Sequence, residues 1–177
     1  MYEPAEDSFL LAESMAVCGG DRVLDVGTGT GILALLASKR ASRVVGVDVN
    51  PMAVELAAEN ARLNGIPNAV FLEGDLFGPV EGRFDLIVFN PPYLPVQEEG
   101  LLERSWSGGE RGMEVLERFL SGVDGHLEKG GRVLTLVSSL NDLDYVKGVF
   151  REHGLSFAVL SERKIPFEML YAVQSRL

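Results

Sequence analysis

The sequence predicts an α/β fold in which a mostly parallel sheet carries helices on both faces. Short apolar runs alternate along the chain with segments of helical periodicity, a pattern in which each helix returns the chain to the same edge of the sheet. The 177 residues are 46% hydrophobic and 24% charged, which is enough to bury one core. No repeat or linker interrupts the pattern, so residues 1–177 are expected to form a single domain.

The first half of the chain predicts three helices and four strands. In order, these are a helix at about 7–17, a strand at 22–26, a helix to about residue 40, a strand at 43–47, a helix from residue 51 and strands at 69–72 and 84–89. Asp7 or Ser8 is expected to cap the first helix. The third helix is the best marked, because Asn50 can cap it, Pro51 suits its first position and Gly65 can end it.

The second half predicts two more helices and three more strands. Apolar residues at helical spacing run from Leu116 to Leu127, a strand follows at 132–137, and a helix at about 141–153 ends at Gly154. The last strands, at 155–161 and 168–174, have no helix between them and should pair antiparallel. The long segment Leu94–Gly112 is rich in glycine and glutamate, and we expect it to face substrate or to be ordered by a partner.

Composition and charge exclude several classes of protein. The single Cys18 rules out internal disulfides and a cysteine-rich zinc site, and no apolar run reaches the roughly 20 residues of a membrane span. The first residues are acidic, unlike a secretory signal, so we expect a cytoplasmic protein without a metal. The formal charge of −10 opposes phosphate backbones and disfavours nucleic acid as the main substrate.

The most informative motif is Asn90-Pro91-Pro92-Tyr93, which follows the apolar run Phe84–Phe89. Two prolines fix the backbone and remove two N–H donors, so the turn presents mainly hydrogen-bond acceptors. Such a site suits a substrate –NH2 group, whose two hydrogens both need acceptors. A rigid turn between strand and loop is the alternative interpretation of the prolines alone.

A glycine-rich loop, Gly27-Thr28-Gly29-Thr30-Gly31, follows the first strand and leads into a helix. A dinucleotide fingerprint would place its third glycine at position 32, which is Ile32. Asp25 precedes the loop by two residues; it would repel a pyrophosphate but attract a cationic amine. The loop therefore predicts a zwitterionic ligand with an amino-acid end.

Two further acids extend this ligand site. Asp48 ends the second strand, where a carboxylate can accept from both hydroxyls of a ribose, and Asp75 follows the third strand, where it can accept from an adenine amine. Val49 and Leu76, which directly follow these two aspartates, are expected to belong to the same ligand site. Each aspartate alone could be a loop cap or a solvated charge. Together with Asp25 and the glycine loop they predict S-adenosylmethionine as cofactor, with S-adenosylhomocysteine as product.

With these motifs the chain resembles a class I S-adenosylmethionine-dependent methyltransferase with a Rossmann-like domain. Two further stretches, Tyr2–Leu11 (YEPAEDSFLL) and Ser105–Gly112 (SWSGGERG), resemble the eukaryotic and archaeal branch of the HemK-type protein-glutamine N5-methyltransferases. The resemblance covers essentially the whole chain. It implies a seven-stranded sheet in the order 3-2-1-4-5-7-6 with the last strand antiparallel, and as substrate the glutamine of the Gly-Gly-Gln motif in a class 1 translation release factor.

The chemistry of an amide acceptor predicts roles for residues of the Asn-Pro-Pro-Tyr turn, and the resemblance implies further ones near the start of the chain. The Asn90 side-chain oxygen and the Pro91 carbonyl are expected to accept the two hydrogens of the target amide, while Tyr93 packs against it. The segment that contains Pro4, Glu6, Asp7 and Ser8 is expected to cover the methionine end of the cofactor, with the Ser8 hydroxyl as a contact.

A partner subunit is implied as well. Unlike bacterial HemK proteins, the sequence begins almost at the cofactor-binding part, and members of the branch it resembles work with a small zinc-binding activator subunit. That subunit would pair near Ala69–Leu72, an apolar strand at the edge of the sheet. A helix or the loop at 78–82 could cover this edge instead.

Other functions stay open at this stage. An N6-adenine methyltransferase acting on DNA or RNA would use the same Asn-Pro-Pro-Tyr turn. A non-catalytic scaffold that binds the cofactor is the alternative from another class, and methylation of a small molecule or of lysine is a further one.

Overall fold

The computed structural model describes residues 3–92 and 113–177, and these form one sheet with helices on both faces. The strands are β1 (Arg22–Val26), β2 (Arg43–Asp48), β3 (Ala69–Glu73), β4 (Phe84–Phe89), β5 (Leu127–Ser138), β6 (Ala158–Ile165) and β7 (Glu168–Ser175). The helices are α1 (Glu6–Ser14), α2 (Ile32–Ser38), α3 (Pro51–Leu63), α4 (Glu114–His126) and α5 (Leu143–Glu152).

The sheet has seven strands in the order β3-β2-β1-β4-β5-β7-β6, which confirms the predicted order. The five strands from β3 to β5 run parallel, whereas β7 is antiparallel to both of its neighbours. In the middle of the sheet, Val26 of β1 is in register with Val47 of β2 on one side and with Phe89 of β4 on the other. The residues that follow these strands therefore meet at one edge.

The hydrophobic core has two halves, one on each face of the sheet. Along β4, Leu86 and Val88 join one half, while Ile87 and Phe89 join the other, as the alternation of side chains along a strand requires. The residues of both halves are almost completely buried. The central strands are therefore covered on both faces, which accounts for their continuous apolar sequences. The carboxyl ends of these buried strands are therefore held in fixed positions.

Several boundaries differ from the predictions, among them the end of α1 at Ser14 rather than at about residue 17. Helix α1 begins at Glu6, so the expected caps Asp7 and Ser8 lie inside its first turn. Strand β5 begins at Leu127 rather than at residue 132, because Leu127 pairs with Phe84 and an irregularity in the register accommodates the extra residues. Helix α5 is capped by Asp142, which accepts from the backbone of the next turn, rather than starting at residue 141.

Helix α3 forms as predicted. The Asn50 side chain accepts from the backbone N–H of Met52 at 3.0 Å, Pro51 occupies the first helical position, and Gly65 follows the helix with a φ of +64°. The final strands form the predicted antiparallel hairpin, but β6 spans Ala158–Ile165 rather than residues 155–161, and the turn lies at Pro166 and Phe167. The predicted substrate-facing segment, Leu94–Gly112, and Tyr93 lie outside the described residues.

Candidate active site

The ends of β1, β2 and β4 bring the predicted motifs together at the carboxyl edge of the sheet. Gly27 follows Val26, Asp48 follows Val47, and Asn90 follows Phe89, and these three preceding residues are in register. The Phe89 ring packs against the glycine loop, because a Cβ added at Gly27 would lie 3.6 Å from this ring. This crevice lies where the strand order reverses, the place at which open α/β sheets bind ligands.

The glycine loop needs its glycines for backbone conformation. Gly27, Gly29 and Gly31 have φ values of +65°, +54° and +81°, which L residues with side chains rarely adopt. The loop is held to β2 by a 2.9 Å hydrogen bond from the Thr28 N–H to the Val47 carbonyl. At Gly31 a Cβ would also come within 3.0 Å of the Ala57 side chain on α3. Glycine therefore permits the backbone conformation of this loop and, at Gly31, its close approach to α3.

Asp25 supports the loop from inside the protein. It is 1% exposed, and its Oδ2 accepts from the Thr28 hydroxyl at 2.7 Å and from the Ala34 N–H at 3.1 Å. Burial raises the pKa of Asp25 to about 7, against the lowering effect of these two hydrogen bonds. The carboxyl is thus poised between its neutral and charged forms, and a cationic neighbour would favour the charged one.

The Asp48 carboxylate is fixed by the backbone on both sides. Its Oδ2 accepts from the Gly29 N–H and its Oδ1 from the Asn50 N–H, each at 2.9 Å. Each carboxylate oxygen can accept a second hydrogen bond, so hydroxyl donors can still bind. The next residue, Val49, is 44% exposed and offers an apolar surface beside this carboxylate.

Asp75 is paired with an arginine that the sequence analysis did not single out. Its Oδ2 accepts from Arg118 on α4, and both side chains are 57% exposed. An exposed ion pair of this kind stabilises the fold only slightly. The following residue, Leu76, has a φ of +50°, an uncommon conformation for a residue with a side chain. Nothing in the sequence pattern signals Arg118, because helical spacing within α4 carries no information about contacts with the loop after β3.

Asn90 has one satisfied and one unsatisfied side-chain atom. Its Nδ2 donates to Oδ2 of Asp7 at 3.0 Å, whereas Oδ1 is buried and accepts no hydrogen bond from any residue the structure describes. A buried polar atom without a partner costs about 1–3 kcal/mol, so it calls for a functional explanation. Pro91 is buried and Pro92 half-buried behind it. The turn therefore contains an acceptor that a ligand N–H could satisfy.

The first turn of α1 closes this end of the crevice. Asp7 is 3% exposed and Ser8 is 5% exposed. Oδ1 of Asp7 accepts from the Ser8 N–H at 2.6 Å and from the Ser8 hydroxyl at 3.3 Å. The expected cofactor contact of Ser8 thus competes with a bond inside the turn and stays a prediction. The sequence did not predict the hydrogen bond between Asn90 and Asp7, although each residue lies in a motif that the sequence analysis identified.

Gly46, in the interior of β2, is a second residue that the sequence analysis missed. A Cβ there would come within 2.5 Å of the Phe71 ring and 2.9 Å of the Thr28 hydroxyl oxygen. The absence of a side chain lets β3 and the glycine loop both close against β2. The only signal in the sequence is a glycine in the middle of an apolar strand.

The described residues contain neither a metal-binding cluster nor a membrane-spanning helix. Across residues 3–92 and 113–177, no three or more His, Cys, Asp or Glu side chains are grouped so as to hold a metal ion. None of the helices described is long and apolar enough to cross a membrane.

Comparison with known proteins identifies the family. The sequence matches the family described as Methyltransferase small domain over residues 5–156, which is most of the chain. This chain is a member of that methyltransferase family. The match begins just before α1 and ends just after α5, so it includes the crevice and all the acids described above.

The methyltransferase is similar to members of the HemK-type branch. A protein of Methanocaldococcus jannaschii named a protein N5-glutamine methyltransferase is 41% identical over 99% of this chain and 91% of its own length. Methyltransferase HEMK2 of Homo sapiens is 32% identical over 96% of this chain and 86% of its own length. These relatives confirm the predicted eukaryotic and archaeal branch.

A solved structure confirms the fold of the methyltransferase. The E. cuniculi Mtq2-Trm112 complex, described as responsible for methylation of the eRF1 translation termination factor, matches with a TM-score of 0.79 and 29% identity. The match covers 99% of this chain and 97% of that one. The Rossmann-like class I arrangement expected from the sequence is therefore the observed one.

Proposed function

We propose that this methyltransferase transfers a methyl group from S-adenosylmethionine to the side-chain amide nitrogen of the glutamine in the Gly-Gly-Gln motif of a class 1 release factor. The observation that carries the proposal is the buried, unpartnered Oδ1 of Asn90 beside the glycine loop. A primary amide supplies the N–H that this oxygen lacks. The names of the M. jannaschii relative and of the Mtq2-Trm112 complex support the same substrate class.

The residues of the crevice fit S-adenosylmethionine. The glycines at 27, 29 and 31 leave the backbone open to close approach, and acids stand at the ends of three successive strands. Asp25 would take the amino group, Asp48 the ribose hydroxyls and Asp75 the adenine amine, with Val49 and Leu76 against the ring system and Ser8 near the methionine end. When bound, the cofactor supplies a methyl group on a sulfonium, which is an electrophile.

The side chains of the Asn90 turn then orient the nucleophile. An amide nitrogen is a poor nucleophile because its lone pair is delocalised, so positioning and electrostatics must supply most of the rate. Oδ1 of Asn90 and the Pro91 carbonyl would accept the two amide hydrogens, hold the nitrogen in place and stabilise the positive charge that grows on it, until one of these hydrogens leaves as a proton to solvent. Tyr93, which lies outside the described residues, is proposed to pack against the flat amide and exclude water.

The proposal is tested by incubating the protein with radiolabelled cofactor and three classes of acceptor. We expect label to enter a termination factor that carries Gly-Gly-Gln, and not the same factor with that glutamine replaced by alanine. Mass spectrometry should place the added methyl group on the glutamine side chain. Labelling of duplex DNA or ribosomal RNA in place of the factor would contradict the proposal and favour an N6-adenine methyltransferase.

We also propose that a small zinc-binding activator subunit pairs with the edge strand β3. Among the described residues β3 pairs with β2 alone, and the loop at 78–82 leaves Val70 41% exposed. The adjacent helix α3 exposes Met52, Leu56 and Leu63 to 68%, 36% and 66%. An apolar edge strand beside an apolar helix face is a typical partner surface. The Mtq2-Trm112 complex supports a small partner for this branch.

We propose a cytoplasmic location on the basis of this substrate, because class 1 release factors act on cytoplasmic ribosomes. Fractionation of cells that express the tagged protein tests it: the protein should appear with the soluble cytoplasmic proteins, and membrane or secreted fractions would contradict the proposal.

A further inference from the structure

Both oxygens of the Asp7 carboxylate accept hydrogen bonds, and one of these bonds comes from Asn90. Oδ1 accepts from the Ser8 N–H and hydroxyl, while Oδ2 accepts from Nδ2 of Asn90 at 3.0 Å. Asp7 is only 3% exposed, so water offers these groups little alternative. The carboxylate thereby joins the first turn of α1 to the residue that follows β4.

This bond decides which way round the Asn90 amide lies. A side-chain amide has two orientations that exchange its oxygen with its nitrogen, and its hydrogen-bond partners choose between them. An ionised carboxylate can only accept, so it stabilises the orientation in which Nδ2 faces Asp7. The opposite orientation would place two oxygens against each other at a buried site. Oδ1 therefore faces away from Asp7 and is left as the acceptor.

We propose that Asp7 is a positioning residue that fixes the orientation of the Asn90 amide, so that its oxygen faces the substrate. The site is thereby restricted to substrates that present an N–H group to this oxygen. The inference rests on the proposed function. With Asn90 reversed, its NH2 would meet the NH2 of the substrate glutamine, and two donors cannot bond to each other. In this role Asp7 influences the substrate by orienting the Asn90 amide, to which it is hydrogen-bonded.

Replacing Asp7 by asparagine separates this role from a merely structural one. The side chain of Asp7→Asn has a single oxygen, and we expect this oxygen to accept from the Ser8 N–H. The new NH2 group would then face residue 90. Asn90 would then turn its oxygen toward that NH2 group and its own NH2 toward the substrate. A second change restores the pattern: in Asp7→Asn combined with Asn90→Asp, the carboxylate at position 90 accepts from the amide at position 7 with one oxygen and offers the other to the substrate.

The experiment compares wild type, D7N, D7N/N90D and the control D144N, in which the changed aspartate is 95% exposed on α5. We expect D7N to lose about 10²-fold in kcat, a loss typical of one preorganised hydrogen bond. Cofactor affinity by calorimetry and the unfolding midpoint should stay near wild type. D7N/N90D should recover at least about tenfold in kcat over D7N, and D144N should match wild type.

A second readout does not depend on turnover. Calorimetric binding of the Gly-Gly-Gln factor in the presence of S-adenosylhomocysteine should weaken in D7N and recover in D7N/N90D. The inference is overturned if D7N keeps its activity or if the double variant is no better than D7N. It is also overturned if D7N loses cofactor binding, which would place Asp7 in the cofactor site, or if its unfolding midpoint falls, which would make Asp7 a residue of the fold. Failure of the proposed function is distinct from these outcomes, because wild type itself would then not methylate the factor.

Discussion

Asp7 and Asn90 lie 83 positions apart in the chain and are joined by a hydrogen bond of 3.0 Å at the end of β4. The helix that carries Asp7 is held in place from its other side, where Arg163 of β6 contacts Glu6 at 2.9 Å and Glu13 at 2.6 Å. α1 therefore links the far edge of the sheet to the central crevice. The orientation of the Asn90 side chain therefore depends on α1, which lies outside the strands that form the crevice.

Replacing Asn90 by alanine should remove methyl transfer while sparing the cofactor. The variant loses the acceptor Oδ1, and we expect kcat to fall by about 10²–10³-fold, as for loss of one preorganised group in a transition state. Cofactor affinity, measured by calorimetry, should change by no more than a few-fold. Near-normal transfer would show that this oxygen does not orient the substrate.

The matched control is Asp48→Ala, which should behave in the opposite way. Its carboxylate accepts from the Gly29 and Asn50 N–H groups, and we propose that it also accepts from the ribose hydroxyls. Loss of such charge-assisted hydrogen bonds costs about 1.5–3 kcal/mol each, so cofactor binding should weaken by at least about tenfold. A variant that kept full affinity would remove Asp48 from the cofactor site.

Asp25 should make the stability of the cofactor-free protein fall between about pH 4 and pH 7. Burial raises the pKa of Asp25 from 3.8 to about 7. The folded protein therefore holds a proton that the unfolded chain has released, and the favourable contribution present at low pH is lost as the pH rises to about 7. Asp25→Asn mimics the neutral acid, and its Oδ1 can still accept from Thr28 and Ala34.

Urea unfolding at several pH values measures this effect. Wild type and D25N should differ little near pH 4, and D25N should become the more stable of the two as the pH approaches 8. A constant difference across this range would show that Asp25 titrates normally. Calorimetry of the wild type should in addition show cofactor affinity rising with pH up to about 7, since a cationic amine favours the ionised carboxyl.

Gly46→Ala should destabilise the protein and loosen the glycine loop. The new Cβ would meet the Phe71 ring at 2.5 Å and the Thr28 hydroxyl at 2.9 Å, so both must move. Overpacking of this kind costs about 1–3 kcal/mol. We expect a lower unfolding free energy in urea and weaker cofactor binding, because the Thr28 hydroxyl also bonds Asp25.

Gly148→Ala serves as the control for that substitution. Gly148 lies within α5, and nothing stands within 4 Å of the position its Cβ would take. Alanine in the interior of a helix is favoured over glycine by roughly 0.5–1 kcal/mol, so this variant should be slightly more stable. Equal losses in the two variants would contradict the role given to Gly46.

Val70→Lys should weaken binding of the proposed activator subunit. A lysine on an edge strand opposes the addition of a further strand and leaves the monomer soluble. Co-expression with a candidate subunit followed by size-exclusion chromatography measures the loss of complex. Val159→Lys, on the opposite edge strand β6 where Val159 is 48% exposed, should leave the complex intact. Equal loss in both variants would move the interface away from β3.

Local chemistry explains why much of the fold was predictable. The cap at Asn50, the proline at position 51 and the glycine loop each act through neighbours a few residues away, and the structure has them as expected. Strand β4 was also placed correctly, because its six residues form a largely apolar run bounded by polar ones. Boundaries were wrong where an apolar residue suits the buried face of a helix as well as that of a strand. Leu127 is such a residue, and only its pairing with Phe84 places it in the strand.

The sequence by itself determined the alternation of strands and helices, the glycine loop and the acceptor turn at Asn90, since these depend on residue types at short spacing. Only the tertiary structure decided how the polar groups pair: Arg118 with Asp75, Gly29 with Asp48 and Asp7 with Asn90. Hydrogen bonds between groups from different elements depend on how those elements cross, and no local pattern encodes that. The orientation of the Asn90 amide, and hence which of its atoms is left to bind a substrate, belongs to this second class.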